Sequence, residues 1–97
     1  MNRPVVLSAE ARVEFDEAVD WYERQAGTGA TFIARVREVL AGIERFPESH
    51  AAVHADVRRA LVRRTPYGIF YRVLTDRIEV ISIFHGRRDP SNWRGRA

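Results

Sequence analysis

Two different spacings of apolar residues divide this chain near residue 57. Up to that point they recur every three to four positions. Ala11, Phe15, Ala18, Val19, Tyr22 and Ala26 share one face of a helix, with Glu14, Glu17, Asp20 and Arg24 on or near the other. Ser8 reads as the N-cap, with Glu10 placed in the first turn and Gly27 at the C′ position, so the pattern predicts a helix from about Ala9 to Ala26. Thr28 or Gly29 opens a second helix, whose stripe is Phe32, Val36, Val39, Leu40, Ile43 and Phe46. Pro47 ends it. Two long amphipathic helices joined by about three residues must pack antiparallel.

Beyond residue 57 the period falls to two. Arg58–Val62 reads as a short strand, Arg63-Arg64-Thr65-Pro66 as a turn, and Tyr67–Leu74 as a strand rich in aromatic and β-branched residues. Thr75-Asp76 turns it into a last strand, Arg77–Phe84. Val5-Val6-Leu7 forms another at the start, and residues 47–57 show no strong period and read as a loop. The order β-α-α-β-β-β predicts an α+β fold: a helical hairpin on one face of a small, mainly antiparallel sheet, within a single domain spanning 1–97. Phe15, Tyr22, Phe32, Val36, Leu40 and Ile43 should be largely buried. The second sheet face is expected to stay open and carry function.

Composition narrows the function. With 97 residues there is little room for an enclosed cofactor pocket, and no cofactor is expected. Cysteine is absent, which removes disulfides, thiol nucleophiles and Cys-ligated zinc. Neither a signal peptide nor an apolar run of about 18 residues appears, so the expected location is the cytoplasm, with no membrane contact. Net charge is +3, unevenly spread: residues 1–50 hold 6 Arg against 9 acids, and residues 51–97 hold 10 Arg against 4. The basic half suits a polyanion. All 16 basic residues are Arg, including those on plain helix surface such as Arg24, Arg37 and Arg45. A coding bias accounts for that choice, so it carries no functional message.

Three groups of residues invite chemistry. His50 and His54 have the spacing of a helical metal pair, but Ala51-Ala52-Val53 between them lacks a glutamate and no further ligand clusters nearby, so no metal is expected. Asp16, Glu17, Asp20 and Glu23 crowd the first helix and read as a solvated face, Asp20 pairing with Arg24. Trp21 lies outside the apolar stripe, either as an edge-packing residue or as a partner contact. The third group is the basic half itself, where arginines interleave with Tyr67, Tyr71, Phe84, His85 and Trp93. Cations for phosphates and aromatics for bases are the tools of RNA contact, and equally the parts of a soluble sheet with a tyrosine core.

The strings Trp21-Tyr22-Glu23, Pro66-Tyr67-x-Ile69-x-Tyr71-Arg72-Val73 and Ile78-x-Val80, with Phe32 in the second-helix stripe and the ending His85-x-Arg87-Arg88-Asp89-Pro90-x-x-Trp93, resemble the RelE/ParE toxins of bacterial type II toxin–antitoxin systems. The resemblance covers nearly the whole chain. It implies a β-α-α-β-β-β fold, a cognate antitoxin as partner, and a role in growth inhibition and plasmid stabilisation. In the ribonuclease branch, basic residues and an aromatic hydroxyl cleave messenger RNA on the ribosome. On that pattern Arg59 and Arg87 match two of the basic residues. Leu61 and Gly68 fall where two more are expected, and Trp93 falls where the catalytic tyrosine would be. His85 and Tyr71 offer titratable groups in its place. Arg87, Arg59, His85 and Tyr71 are thus the candidate catalytic or target-contact residues, and Arg63, Arg64, Arg72, Arg88 and Trp93 the candidate target contacts. The departures favour the ParE branch, which binds DNA gyrase and blocks it. The alternative is a RelE-like, metal-independent, ribosome-dependent endonuclease acting on mRNA.

Overall fold

The computed structural model describes residues 3–85, 95 and 96. Its elements run β1 (Val5–Leu7), α1 (Ala9–Ala26), α2 (Gly29–Arg45), β2 (Ala52–His54), β3 (Val57–Leu61), β4 (Tyr67–Val73) and β5 (Ile78–His85). The strands form one five-stranded sheet in the order β1-β5-β4-β3-β2. Only β1 pairs in parallel, with β5; the other neighbours are antiparallel. The helical hairpin covers one sheet face, as the period change predicts.

The helix ends form by local chemistry. Ser8 Oγ accepts the Ala11 amide at 3.1 Å, and Gly27 closes α1 in the left-handed region at φ 64°. Thr28 gives α2 no side-chain cap; instead Glu23, reaching from α1, accepts the Gly29 amide on Oε1 at 3.1 Å. Phe32, Val36 and Ile43 are buried against Ala60, Ile69, Tyr71, Ile78 and Val80 of the sheet, while Phe15, Tyr22 and Leu40 pack at the edge of that core and stay partly exposed. Phe46 is exposed, because α2 ends at Arg45 and the stripe stops at Ile43.

Three expectations need correcting. The segment 47–57 is not all loop: Ala52–His54 adds a fifth strand against β3 at the sheet edge, too short and too polar for its period to show. The outer face is not bare either. Val57, Phe70, Ile81 and Phe84 form a second buried cluster there, with Val53 packed against it. Ile81 joins that cluster through an irregularity in the β4–β5 ladder: Phe70 faces Ser82 and Tyr71 faces Val80, so β5 holds one residue more than β4 and the apolar run serves both faces. Finally, Glu14, placed by its spacing on or near the polar face of α1, turns to the sheet edge instead. Beyond Leu7, where β1 ends, its carboxylate takes the place of the missing strand: Glu14 Oε1 accepts the Ile83 amide at 3.2 Å and the Ser82 hydroxyl at 3.0 Å.

Candidate functional site

Strand alternation decides which arginines can meet a partner. On β3, Arg59 and Leu61 point to the outer face, opposite Phe70 and Gly68 of β4, while Arg58 and Ala60 point towards the helices. Arg59 is exposed, and Leu61 is 64% exposed. A Cβ on Gly68 would come within 3.3 Å of Arg59 Cγ, so the glycine leaves room for the arginine stem to lie flat across β4. The neighbouring Arg58 is spent on structure. Its Nη1 donates to the carbonyls of His50 at 2.6 Å and Glu48 at 3.2 Å, fastening the segment after α2 to β3.

The turn between β3 and β4 carries Arg63 and Arg64, both exposed. Arg64 holds a positive φ of 64°, which turns the chain towards Pro66. Arg63 leans back towards α2, where its guanidinium lies 3.9 Å from Glu38; at this exposure such a pair adds little stability and leaves the cation available. Arg72, on the outer face of β4, pairs with Glu79 directly across the ladder at 3.3 Å. The outer face and the adjoining turn therefore present Arg59, Leu61, Arg63 and Arg64.

Tyr71 and His85 lie elsewhere. Tyr71 is fully buried on the helix side, and its hydroxyl donates to the Pro47 carbonyl at 2.6 Å with His50 Nδ1 at 3.2 Å. Burial pushes its pKa above the ordinary value, with the Arg58 cation pulling the other way. That is the setting of an anchor between the end of α2 and the sheet. His85 ends β5 beside Tyr67, ring centroids 5.8 Å apart, at the end of an aromatic series through Phe32, Tyr22 and Trp21. The register that pairs it with Tyr67 sets it on the helix side, away from Arg59. Arg87, Arg88 and Trp93 lie outside the described residues.

With this geometry in place the comparisons are decisive. The family model described as the ParE toxin of the type II toxin–antitoxin system, parDE, matches residues 5–90. The chain belongs to the ParE toxin family. A chain in the solved structure titled "Chromosomal ParDE TA system from P. aeruginosa" is similar at 17% identity and a TM-score of 0.76, over 86% of this chain and 95% of that one. No curated protein matches. The likeness to that structure establishes a shared fold: two helices on a mostly antiparallel open sheet.

For a ParE toxin, the notable finding is how far the cations are dispersed. Arg59 faces outwards, Arg58 inwards, and Arg63 towards the helices, so they do not converge on one pocket. Among the described residues no helix is long and apolar enough to cross a membrane, and no group of His, Asp and Glu could hold a metal ion. The sequence reading missed Glu14 and Arg96. Arg96 Nη1 donates to Glu14 Oε1 at 2.9 Å and to the Ile81 carbonyl at 3.0 Å, a contact across 82 residues that no periodicity announces.

Proposed function

We propose that this ParE toxin arrests growth in the cytoplasm by binding DNA gyrase and blocking it, and that a cognate antitoxin neutralises it. The observation that carries the reading is the chemistry of the outer face. Leu61 and Gly68 occupy the positions where resemblance to the ribonuclease branch calls for cations, and the Tyr71 hydroxyl is committed to the Pro47 carbonyl. Acid–base cleavage of RNA needs a titratable group within reach of the phosphate, with charge gathered around it. Dispersed exposed arginines beside an exposed leucine suit adhesion to a large target instead. Arg59, Arg63 and Arg64 are the contacts proposed; Arg87 and Arg88 join them on the sequence argument alone.

The test uses purified gyrase and relaxed plasmid, with the toxin titrated into the supercoiling reaction. Inhibition by the wild type, weakened about tenfold or more by Arg59→Ala combined with Arg63→Ala and Arg64→Ala at unchanged melting temperature, is the expected outcome. Induced cells should form filaments and signal DNA damage before protein synthesis falls. A prompt fall in protein synthesis with cleaved mRNA and unaffected gyrase would replace this reading with the endonuclease.

A further inference from the structure

The sheet ends in two edge strands, and they are unlike. β2 is guarded: its register against β3 shifts between Ala52 and His54, Ala55 turns left-handed at φ 50°, and the charged Asp56 follows. An irregular, twisted edge is a poor template for another strand. β1 has no such guard. Val5-Val6-Leu7 keeps an unbroken parallel register with Ile78, Glu79 and Val80, carries no charge, and leaves Val6 45% exposed. Among the described residues β5 is its only neighbour in the sheet.

The backbone bonds show what that edge offers. The Ile78 amide donates to the Pro4 carbonyl at 2.8 Å and the Ser8 amide to the Val80 carbonyl at 2.9 Å, so the even-numbered residues of this stretch turn their peptide groups towards β5. Strand alternation then turns the N–H and C=O of both Val5 and Leu7 outwards, in one row. Pro4 does not blunt the row, because its missing N–H belongs to the β5 side. The side chains of Val5 and Leu7 pack against the core, which fixes the strand in place.

This arrangement is self-complementary. When two copies pair antiparallel about Val6, Val5 of each lies opposite Leu7 of the other, and the two pairs exchange hydrogen bonds that use every outward group of the strand. Val6 meets Val6 of the other copy on the two-fold axis, at the close, non-hydrogen-bonded position with about 4.5 Å between Cα atoms, where the two side chains cover each other. Charge selects the same register. Extending it sets Arg3 of one copy opposite Ala9 of the other, beside Glu10. Glu10 stands one turn before Glu14, whose carboxylate reaches this side of the sheet at Ile83, so it faces the same edge. Neither Arg3 nor Glu10 has an ionic partner among the described residues.

We propose that β1 is a homodimerisation edge: two copies of the chain join antiparallel through Val5 and Leu7 into one continuous sheet, with Arg3 of each against Glu10 of the other. The proposal does not rest on the gyrase reading. An edge of three residues buries little surface, which puts the dimer in the weak, reversible class.

Sedimentation equilibrium of the purified full chain over roughly 10–500 μM tests the proposal. The mass should rise with concentration towards twice that of the monomer and stop there, and exchange of the Val5 and Leu7 amides should slow as it does. Val6→Lys sets like charges face to face on the axis. It should weaken association about tenfold or more while melting temperature holds, since the side chain is half exposed. Arg3→Glu should weaken it about threefold, and adding Glu10→Arg should restore it. A chain that stays monomeric throughout would overturn the proposal. So would a dimer indifferent to Val6→Lys, whose interface would lie on another surface, or a mass that climbs beyond two copies. Failure of Glu10→Arg to rescue Arg3→Glu would overturn the antiparallel register, and the proposal with it.

Discussion

Replacing Tyr71 by phenylalanine removes one oxygen from the middle of the fold and leaves the ring. The ring is fully buried among Ile69, Val80 and the α2 stripe, so its packing survives and no cavity term arises. What is lost is the 2.6 Å hydrogen bond to the Pro47 carbonyl and the contact with His50. Pro47 and His50 are both partly exposed, so water can satisfy them and the full penalty for a stranded buried group is avoided. The net cost should be about 1–1.5 kcal/mol, or roughly 4–12 °C in melting temperature for a domain of this size. Urea unfolding followed by circular dichroism measures it as a lower midpoint at constant slope. Tyr71→Ala, which also empties the ring's volume, should cost about 3–5 kcal/mol.

Alkali gives an independent check on the same hydroxyl. Burial raises the Tyr71 pKa above the ordinary tyrosine value of about 10, so just above pH 10 the unfolded chain has largely lost this proton and the folded chain has kept it. The unfolded state then binds fewer protons, and stability falls with rising pH. The contribution is complete below pH 10 and is lost as pH climbs through the folded value. Tyr22 is raised in the same direction, chiefly by burial, with its Thr65 hydrogen bond and Arg35 acting against it. Tyr71→Phe should therefore flatten the alkaline decline without abolishing it. A cost below about 0.3 kcal/mol together with an unchanged alkaline slope would refute the anchor assignment.

Three further outcomes follow from local geometry. Glu23→Ala removes the side-chain partner of the Gly29 amide and should cost about 1 kcal/mol by thermal melting, with Glu23→Gln retaining most of the stability. Ala55→Gly and Gly27→Ala should move stability in opposite directions by about 0.5–1 kcal/mol each. Both positions have left-handed backbone, and nothing lies within 4 Å of a Cβ at Gly27 to add a second effect. Glu14→Ala strips the acceptor from the Ile83 amide, the Ser82 hydroxyl and Arg96. It should cost about 1–3 kcal/mol and speed hydrogen exchange at Ile83 more than at Ile69, which sits inside the β4–β5 ladder.

What the sequence determines by itself is whatever depends on neighbours along the chain. The stripe from Ala11 to Tyr22, the cap at Ser8 and the left-handed stop at Gly27 involve partners no more than about one helical turn away, so spacing alone places α1 almost to the residue. The β4–β5 hairpin is legible for the same reason, its two strands joined by a short turn. Tertiary structure decides the rest, because the deciding partner is far away in sequence. Whether Tyr71 offers a free hydroxyl or a buried anchor depends on where Pro47 comes to lie, and whether Glu14 is solvated depends on β1 stopping at Leu7 and leaving the Ile83 amide open. The arginines look alike in sequence, yet pleating turns Arg58 inwards and Arg59 outwards, and only the register with β4 says which is which. The pair of Glu14 and Arg96 is the extreme case: the two stand 82 positions apart, and only the packing of α1 against the end of the sheet brings them together.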